Sequence, residues 1–393
     1  MRRVLIGALP CFLLAQAPAP PLTYDDLLQR VKPGLDQLRL DAWLAERNRE
    51  LAGSSGLLRE SPSLGLVAGP RQAAGVPGTT DQSAEVDLPL FLSPGSRRNL
   101  IRALDHADPL LREAARREGR LRLRQAFLDV WLEQRVTGLR EQDLATVRAW
   151  LKAAQTRLEA GADPGFQVAL VEGEVFKAQM ELADSRRRVS LAWASLRSLA
   201  ALPDRPMTIA DPGLVRFEDV AGLPSRYAKA PVRQALQARL NVEHENLRHR
   251  EALNLSRWTL RGSYAKEGED RIAKVGVAYR FSRPGETQAV HRETEAGLAT
   301  LQRELQNAVT ELDGRFQAAQ ERLQILGDIP PTKGFHDAIQ AVGLRLQAGK
   351  ERPSDALPIR RQLLEAEVAE LRRQHAQHLL QAELQALTDG VTP

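Results

Sequence analysis

The chain of 393 residues is 43 % hydrophobic and 27 % charged, with Ala, Leu, Gln, Arg and Glu dominant and only 5 Trp, 4 Tyr and 9 Phe. That composition folds, and it is the palette of long helices. The net charge of +5 is carried by basic residues interspersed with acidic ones, which leaves no nucleic-acid footprint, and the single cysteine, Cys11, excludes intrachain disulfides, cysteine zinc sites and iron–sulfur ligation.

In chain order, the first element is an export signal over 1–19. Arg2 and Arg3 precede an apolar run from Val4 to Leu14, and Ala15, Gln16 and Ala17 form a small-x-small cleavage pattern. Pro10 stands where an acylated cysteine needs a small residue before it, so Cys11 does not read as a lipid anchor. No later stretch reaches the roughly 18 apolar residues of a transmembrane helix, so a bilayer crossing would have to use strands.

The rest is two copies of one plan, covering 20–202 and 231–393. Arg157-Leu158-Glu159-Ala160-Gly161 is matched by Arg345-Leu346-Gln347-Ala348-Gly349, and Pro94-Gly95 by Pro284-Gly285. The two offsets differ by about two residues, which marks an internal repeat. Each copy predicts a helix, a β-hairpin, a long helix, a tight turn and a second long helix. In the first copy the hairpin falls at about 61–92, a long helix covers 97–160, and the turn lies near 161–165. At 1.5 Å per residue such a helix is about 96 Å long.

The helix after that turn steps through Val168, Val171, Val175, Ala178, Leu182, Ser185, Val189, Ala192, Leu196 and Leu199, a coiled-coil-like seam. Pro203, Pro206, Pro212 and Pro224 make 203–230 a linker that no continuous helix tolerates. In the second copy Leu298, Leu301, Leu305, Ala308, Leu312, Phe316, Ala319, Leu323 and Leu326 repeat the seam. Gly327 to Gly334, with Pro330 and Pro331, then break the helix, and the second turn lies near 349–354.

The second hairpin, at about 257–282, has strict alternation. Trp258, Leu260, Gly262 and Tyr264 share one face, as do Val275, Val277, Tyr279 and Phe281, while Arg261, Lys274 and Arg280 fall on the other. The first hairpin reads more weakly, with Val86, Leu88, Leu90 and Leu92 alternating against Glu85, Asp87, Pro89 and Phe91, and its outward loop spans about 71–83; the second loop spans about 266–272. Aromatics at strand ends and strands near 9–11 residues suit a membrane barrel. Four strands cannot close, because barrels begin at about eight, and an open edge is not tolerated in lipid. The fold class is therefore mainly α, with long antiparallel coiled-coil-like hairpins and two β-hairpins contributing to an oligomeric transmembrane barrel.

A signal segment, two helix–hairpin–helix-pair copies, Pro-Gly after the second strand of each hairpin and Arg-Leu-x-Ala-Gly at each far turn together resemble the TolC family of outer-membrane efflux proteins, in flavour its CzcC-type members. The resemblance runs from about Leu22 to Val391. It implies a homotrimer whose twelve-stranded outer-membrane barrel, seated in lipid, continues as a helical tunnel across the periplasm. At its tip the tunnel meets a periplasmic adaptor that binds an inner-membrane pump. On this resemblance Arg157, Leu158, Ala160 and Gly161, with Arg345, Leu346, Ala348 and Gly349, are adaptor-docking turns. Asp163 and Asp355 are candidate constriction carboxylates, although aspartate also suits a helix N-cap, the reading preferred. Arg261, Lys274 and Arg280 would line the lumen and make it locally cationic. Trp258, Leu260, Tyr264, Val275, Val277, Tyr279 and Phe281 would face lipid.

Enzyme readings fare poorly. His375 and His378 are three apart, with His244 and His249 in the same copy, yet no third ligand is spaced to join either pair, so neither a metal nor a cofactor is expected. Gly75 to Thr80 lacks the lysine of a phosphate-binding loop, and no nucleophile elbow or dinucleotide fingerprint occurs. The alternative is a soluble periplasmic coiled-coil scaffold or adaptor-like protein, which detergent dependence separates from a membrane channel.

Overall fold

A computed structural model describes residues 21–32, 34–53, 63–71, 79–90, 94–161, 164–204, 207–212, 222–267, 270–281, 283–330, 334–348 and 350–388. The expected signal over 1–19, Asp163, Gly349 and residues 205–206 and 213–221 of the linker lie outside these residues.

Thirteen elements occur among the described residues. They are α1 (Tyr24–Leu28), α2 (Leu35–Gly53), β1 (Ser63–Arg71), β2 (Thr79–Leu90), α3 (Pro94–Glu159), α4 (Gly165–Leu199), α5 (Leu223–Ala228), α6 (Pro231–Leu255), β3 (Trp258–Glu267), β4 (Asp270–Tyr279), α7 (Glu286–Asp328), α8 (Phe335–Gln347) and α9 (Pro353–Leu387). Helix α3 runs unbroken for 66 residues with Pro109 inside it. An interior proline removes a backbone donor and costs roughly 3 kcal/mol. Burial of Ala107 and Leu111 on either side of it, in a cluster with α2 and α6, offsets that cost. Helices α4 and α9 are both 35 residues long, and the break expected between Gly327 and Gly334 separates α7 from α8. Gly334, at φ 96°, takes the left-handed conformation at the start of α8.

The chain forms two compact units, and each draws residues from both sequence copies. In one, built from described parts of 1–32, 122–216 and 328–379, Leu27, Phe127, Leu128, Trp193 and Leu196 make a cluster between α1, α3 and α4. A second cluster there joins α3, α4, α8 and α9 through Val147, Trp150, Val171, Leu346 and Ala356. Ser185, the one polar step in the α4 seam, is fully buried and shares a 2.6 Å hydrogen bond with Thr137 Oγ1. A buried hydroxyl is tolerated when its partner is supplied.

The other unit, from 33–121, 217–327 and the chain beyond 379, holds the cluster around Leu100, Ala107 and Val242 and another around Tyr227, Phe316 and Leu384. Tyr227 stacks on Phe316 at 4.2 Å, and its hydroxyl donates to Asp313 at 2.7 Å.

The same unit carries one four-stranded antiparallel sheet in the order β1-β2-β3-β4. The two hairpins are therefore joined edge to edge, with Val86 opposite Gly262, Asp87 opposite Arg261 and Leu88 opposite Leu260. The strands are longer than the sequence reading allowed. Strand β2 begins at Thr79, and β3 and β4 pair out to Glu267 and Asp270, so both outward loops shrink. Alternating hydrophobicity ends before the ladder does, because backbone pairing continues into polar residues beyond the apolar band. Pro89 stands opposite Thr259 of β3, near the end of β2 and past Asp87, where the described pairing with β1 stops.

Candidate functional site

Backbone register sorts the sheet into two faces. One bears Leu64 and Leu66 of β1, Val86, Leu88 and Leu90 of β2, Trp258, Leu260 and Tyr264 of β3, and Val275, Val277 and Tyr279 of β4. Gln82, Lys266 and Arg271 interrupt it only toward the loops. Val275 is 82 % exposed and Phe281, just past β4, 83 % exposed. Trp258 and Tyr279 lie with ring centroids 4.8 Å apart, and Phe281 meets Tyr279 edge-on at 5.1 Å. An apolar face spanning four strands with no core against it is unusual for a protein surrounded by water.

The opposite face is polar. Arg261 binds Asp87 through Nε at 2.7 Å and Nη2 at 2.9 Å, and Glu85 lies 3.1 Å from its Nε. By register the same face carries Glu85, Asp87 and Asp270 against Arg261 and Lys274. The locally cationic surface expected from the second copy is therefore offset, since the first copy brings carboxylates to it. Arg280 lies beyond β4, where its backbone N–H donates to Arg257 and its guanidinium sits 3.7 Å from Glu286 at the start of α7. It is drawn to that helix end and does not stand on the strand.

The two turns are unequal. After α3, Gly161 adopts φ 69° and its N–H donates to Leu158 O, while Ala160 N–H donates to Thr156 O. A reversal through the left-handed region suits glycine. After α8, Ala348 remains right-handed, and Lys350 N–H reaches Arg345 O at 2.9 Å. Leu158 is 40 % exposed, whereas Leu346 is 3 % exposed within the α3–α4–α8–α9 cluster. The matching motif positions thus differ: one leucine is surface and the other core, because α8 packs on its neighbours and the end of α3 does not. Arg157 is the last basic residue of α3, and Arg345 lies 3.4 Å from Glu351. The N-cap reading fails for Asp355. Helix α9 begins at Pro353, so Asp355 stands in the first turn, where it accepts from the Ser354 hydroxyl at 3.1 Å and its charge still complements the helix dipole.

Two features escaped the sequence reading. Arg360 is buried and binds Asp143 and, at 3.0 Å, Glu174, which also receives Arg361; its guanidinium lies 5.9 Å from the Trp150 ring. Charged residues on long helices look alike in sequence, so nothing marked this set as interior. On α4, Phe166, Leu170, Phe176, Met180 and Leu191 are exposed opposite the buried seam. At about 100° per residue they fall within an arc of about 120°. The stripe follows the same helical period as the seam, on the opposite side of the helix.

The histidines singled out in the sequence lie against neighbouring side chains, His244 at 3.4 Å from Glu245. His375 Nε2 lies 2.9 Å from Asp129, His378 meets Trp131 edge-on, and His249 Nδ1 lies 3.2 Å from Ser96 Oγ. Burial pushes His249 and His378 below the ordinary imidazole value, helped by Arg97 and Arg124 respectively. Among the described residues no group of three or more side chains is placed to hold a metal ion.

No protein-family model matches the chain, and no curated protein matches it. Solved structures do. The chain is similar to the CmeC outer membrane channel of Campylobacter jejuni at 12 % identity and TM-score 0.73, over 93 % of this chain and 85 % of that one. It is also similar to a membrane protein from Pseudomonas aeruginosa, at 18 % identity and TM-score 0.67 over 93 % and 89 % of the two chains. For the outer membrane protein VceC of Vibrio cholerae the figures are 15 %, 0.63, 93 % and 94 %. At these identities the likeness is one of fold. The chain has the TolC-like fold of outer-membrane channels.

Proposed function

We propose that the chain is the outer-membrane channel of a tripartite efflux or export system, a passive conduit that assembles as a homotrimer and docks a periplasmic adaptor at its helical turns. The observation that carries this reading is the sheet: apolar side chains of all four strands share one face by register, exposed on β1, β3 and β4 and half-buried on β2, and its edge strands β1 and β4 have no partner among the described residues. Lipid is the medium in which such a face costs nothing, and closure through copies of the chain is the way to satisfy the edges there. Two copies give eight strands, whose interior side chains nearly fill, and three give twelve, which leaves a pore. The known channels that share this fold make the reading coherent. For adaptor docking, the exposed Leu158, Ala160, Arg345 and Ala348 are the candidate contacts, with Gly161 shaping its turn and Leu346 supporting from the core.

The test is the mass of the full chain extracted from an outer-membrane fraction, by light scattering with detergent accounted for. A detergent-bound trimer is expected. A monomer or dimer that stays soluble without detergent overturns the reading in favour of a periplasmic scaffold.

A further inference from the structure

Where the sheet meets its helices there is a pocket of about 500 Å³ whose wall includes Arg248, Glu251, Arg257, Trp258, Tyr279 and His291. It lies within one compact unit and is formed by the last turns of α6, the first residue of β3, the last of β4 and the start of α7. Its charges are uneven. Glu251 is engaged by His291 Nδ1, while Arg248 is exposed and makes no ion pair among the described residues. Arg257 is buried at 7 % exposure; its Nη1 donates to Glu286 at 2.9 Å, and no acceptor among the described residues reaches its Nη2. That buried edge is closed to solvent, so Arg257 adds positive charge from behind the wall, while the exposed Arg248 is the donor an anion in the pocket can reach.

The rest of the wall states what the oxyanion is attached to. Trp258 and Tyr279 stand at the helix-proximal end of the apolar face, directly below the Leu260–Val277 pair. One end of the pocket therefore carries an exposed arginine with a buried one beside it, and the other end carries exposed aromatic surface. Paired tryptophan and tyrosine at such a boundary suit the interface between hydrocarbon and water.

We propose that this pocket binds the phosphate of a membrane phospholipid, with Arg248 on the phosphate oxygens, the buried Arg257 adding charge behind them, and the acyl chains lying over Trp258, Tyr279 and Val277. The source of the phosphate rests on the membrane reading above; the anion site itself does not. One site per chain would give the trimer three anchored lipids in the leaflet nearest the helices.

The full chain in a maltoside detergent without phosphate groups is titrated with short-chain phosphatidylglycerol, with the diacylglycerol of the same chains and with inorganic phosphate, and read by thermal shift and by lipid retention in native mass spectrometry. Phosphatidylglycerol is expected to raise Tm saturably and diacylglycerol to do so only non-specifically. Arg248→Gln, on the exposed and unpaired arginine, is expected to weaken the phospholipid effect about tenfold, the scale of one charge-assisted contact. His291→Gln is the milder companion, because it removes no arginine. Phospholipid binding unchanged in Arg248→Gln overturns the site while leaving a detergent-dependent trimer intact. Inorganic phosphate protecting as well as the lipid, with the same dependence on Arg248, overturns the lipid source. A protein soluble without detergent that still binds phosphate through Arg248 overturns the membrane reading and keeps the anion site.

Discussion

Leu158 and Leu346 occupy the same place in the repeated motif and opposite environments, so their truncation separates surface from core. Leu346→Ala removes a side chain packed with Trp150, Val171 and Ala356 and is expected to cost about 2–5 kcal/mol, whereas Leu158→Ala should stay within about 0.5 kcal/mol. Urea unfolding of the two variants checks this, and equal costs would contradict the packing described. His378 supplies a pH dependence. Its imidazole is held below the ordinary value of 6.5 first by burial and then by Arg124 and His375, with Asp211 opposing. The folded state therefore binds fewer protons than the unfolded one, so this contribution is complete above pH 6.5 and is lost as pH falls below it. His378→Phe keeps a ring against Trp131 and removes the titration. The fall in Tm on acidification is expected to be shallower in the variant, although not abolished, since His249 is shifted in the same direction.

Elements were legible in sequence wherever a period ran long enough. The α4 seam and the alternation of β3 and β4 place those elements correctly, because both patterns reflect burial against a neighbour within a few residues or strands. What could not be read were relations between distant segments. Nothing in the run around Asp87 announces that Arg261 lies opposite it, and nothing around Asp143 announces Arg360, because ion pairs carry no periodicity. The turn after α3 was legible from its glycine, and it makes a prediction of its own. Gly161 at φ 69° has open space around its Cα, so Gly161→Ala meets no clash and pays only for the left-handed backbone. A loss of about 1 kcal/mol is expected by chemical denaturation. Gly138→Ala, inside α3 with equally open surroundings, should instead raise stability by about 0.5–1 kcal/mol.

At the scale of the molecule, a single chain leaves two kinds of surface unsatisfied: the apolar face and edges of the sheet, and the exposed stripe on α4. The trimer proposed above would satisfy them in different ways. There the sheet takes lipid on its face and strands on its edges, while the α4 stripe, lying on a helix whose other side is already buried in the seam, takes protein. Burying one Phe or Met side chain contributes about 1.5–3 kcal/mol. Phe176→Glu therefore removes that gain from each copy and adds a charge that must be desolvated, while touching no residue of the α4 core. The expected outcome is a shift of the detergent-extracted protein from trimer toward monomer, with helical circular dichroism unchanged. A variant that remains trimeric at the same dilution would remove the stripe from the interface and leave assembly to the sheet edges alone. Loss of helicity together with loss of the trimer would instead place Phe176 in the fold of the single chain, against its exposure in this structure.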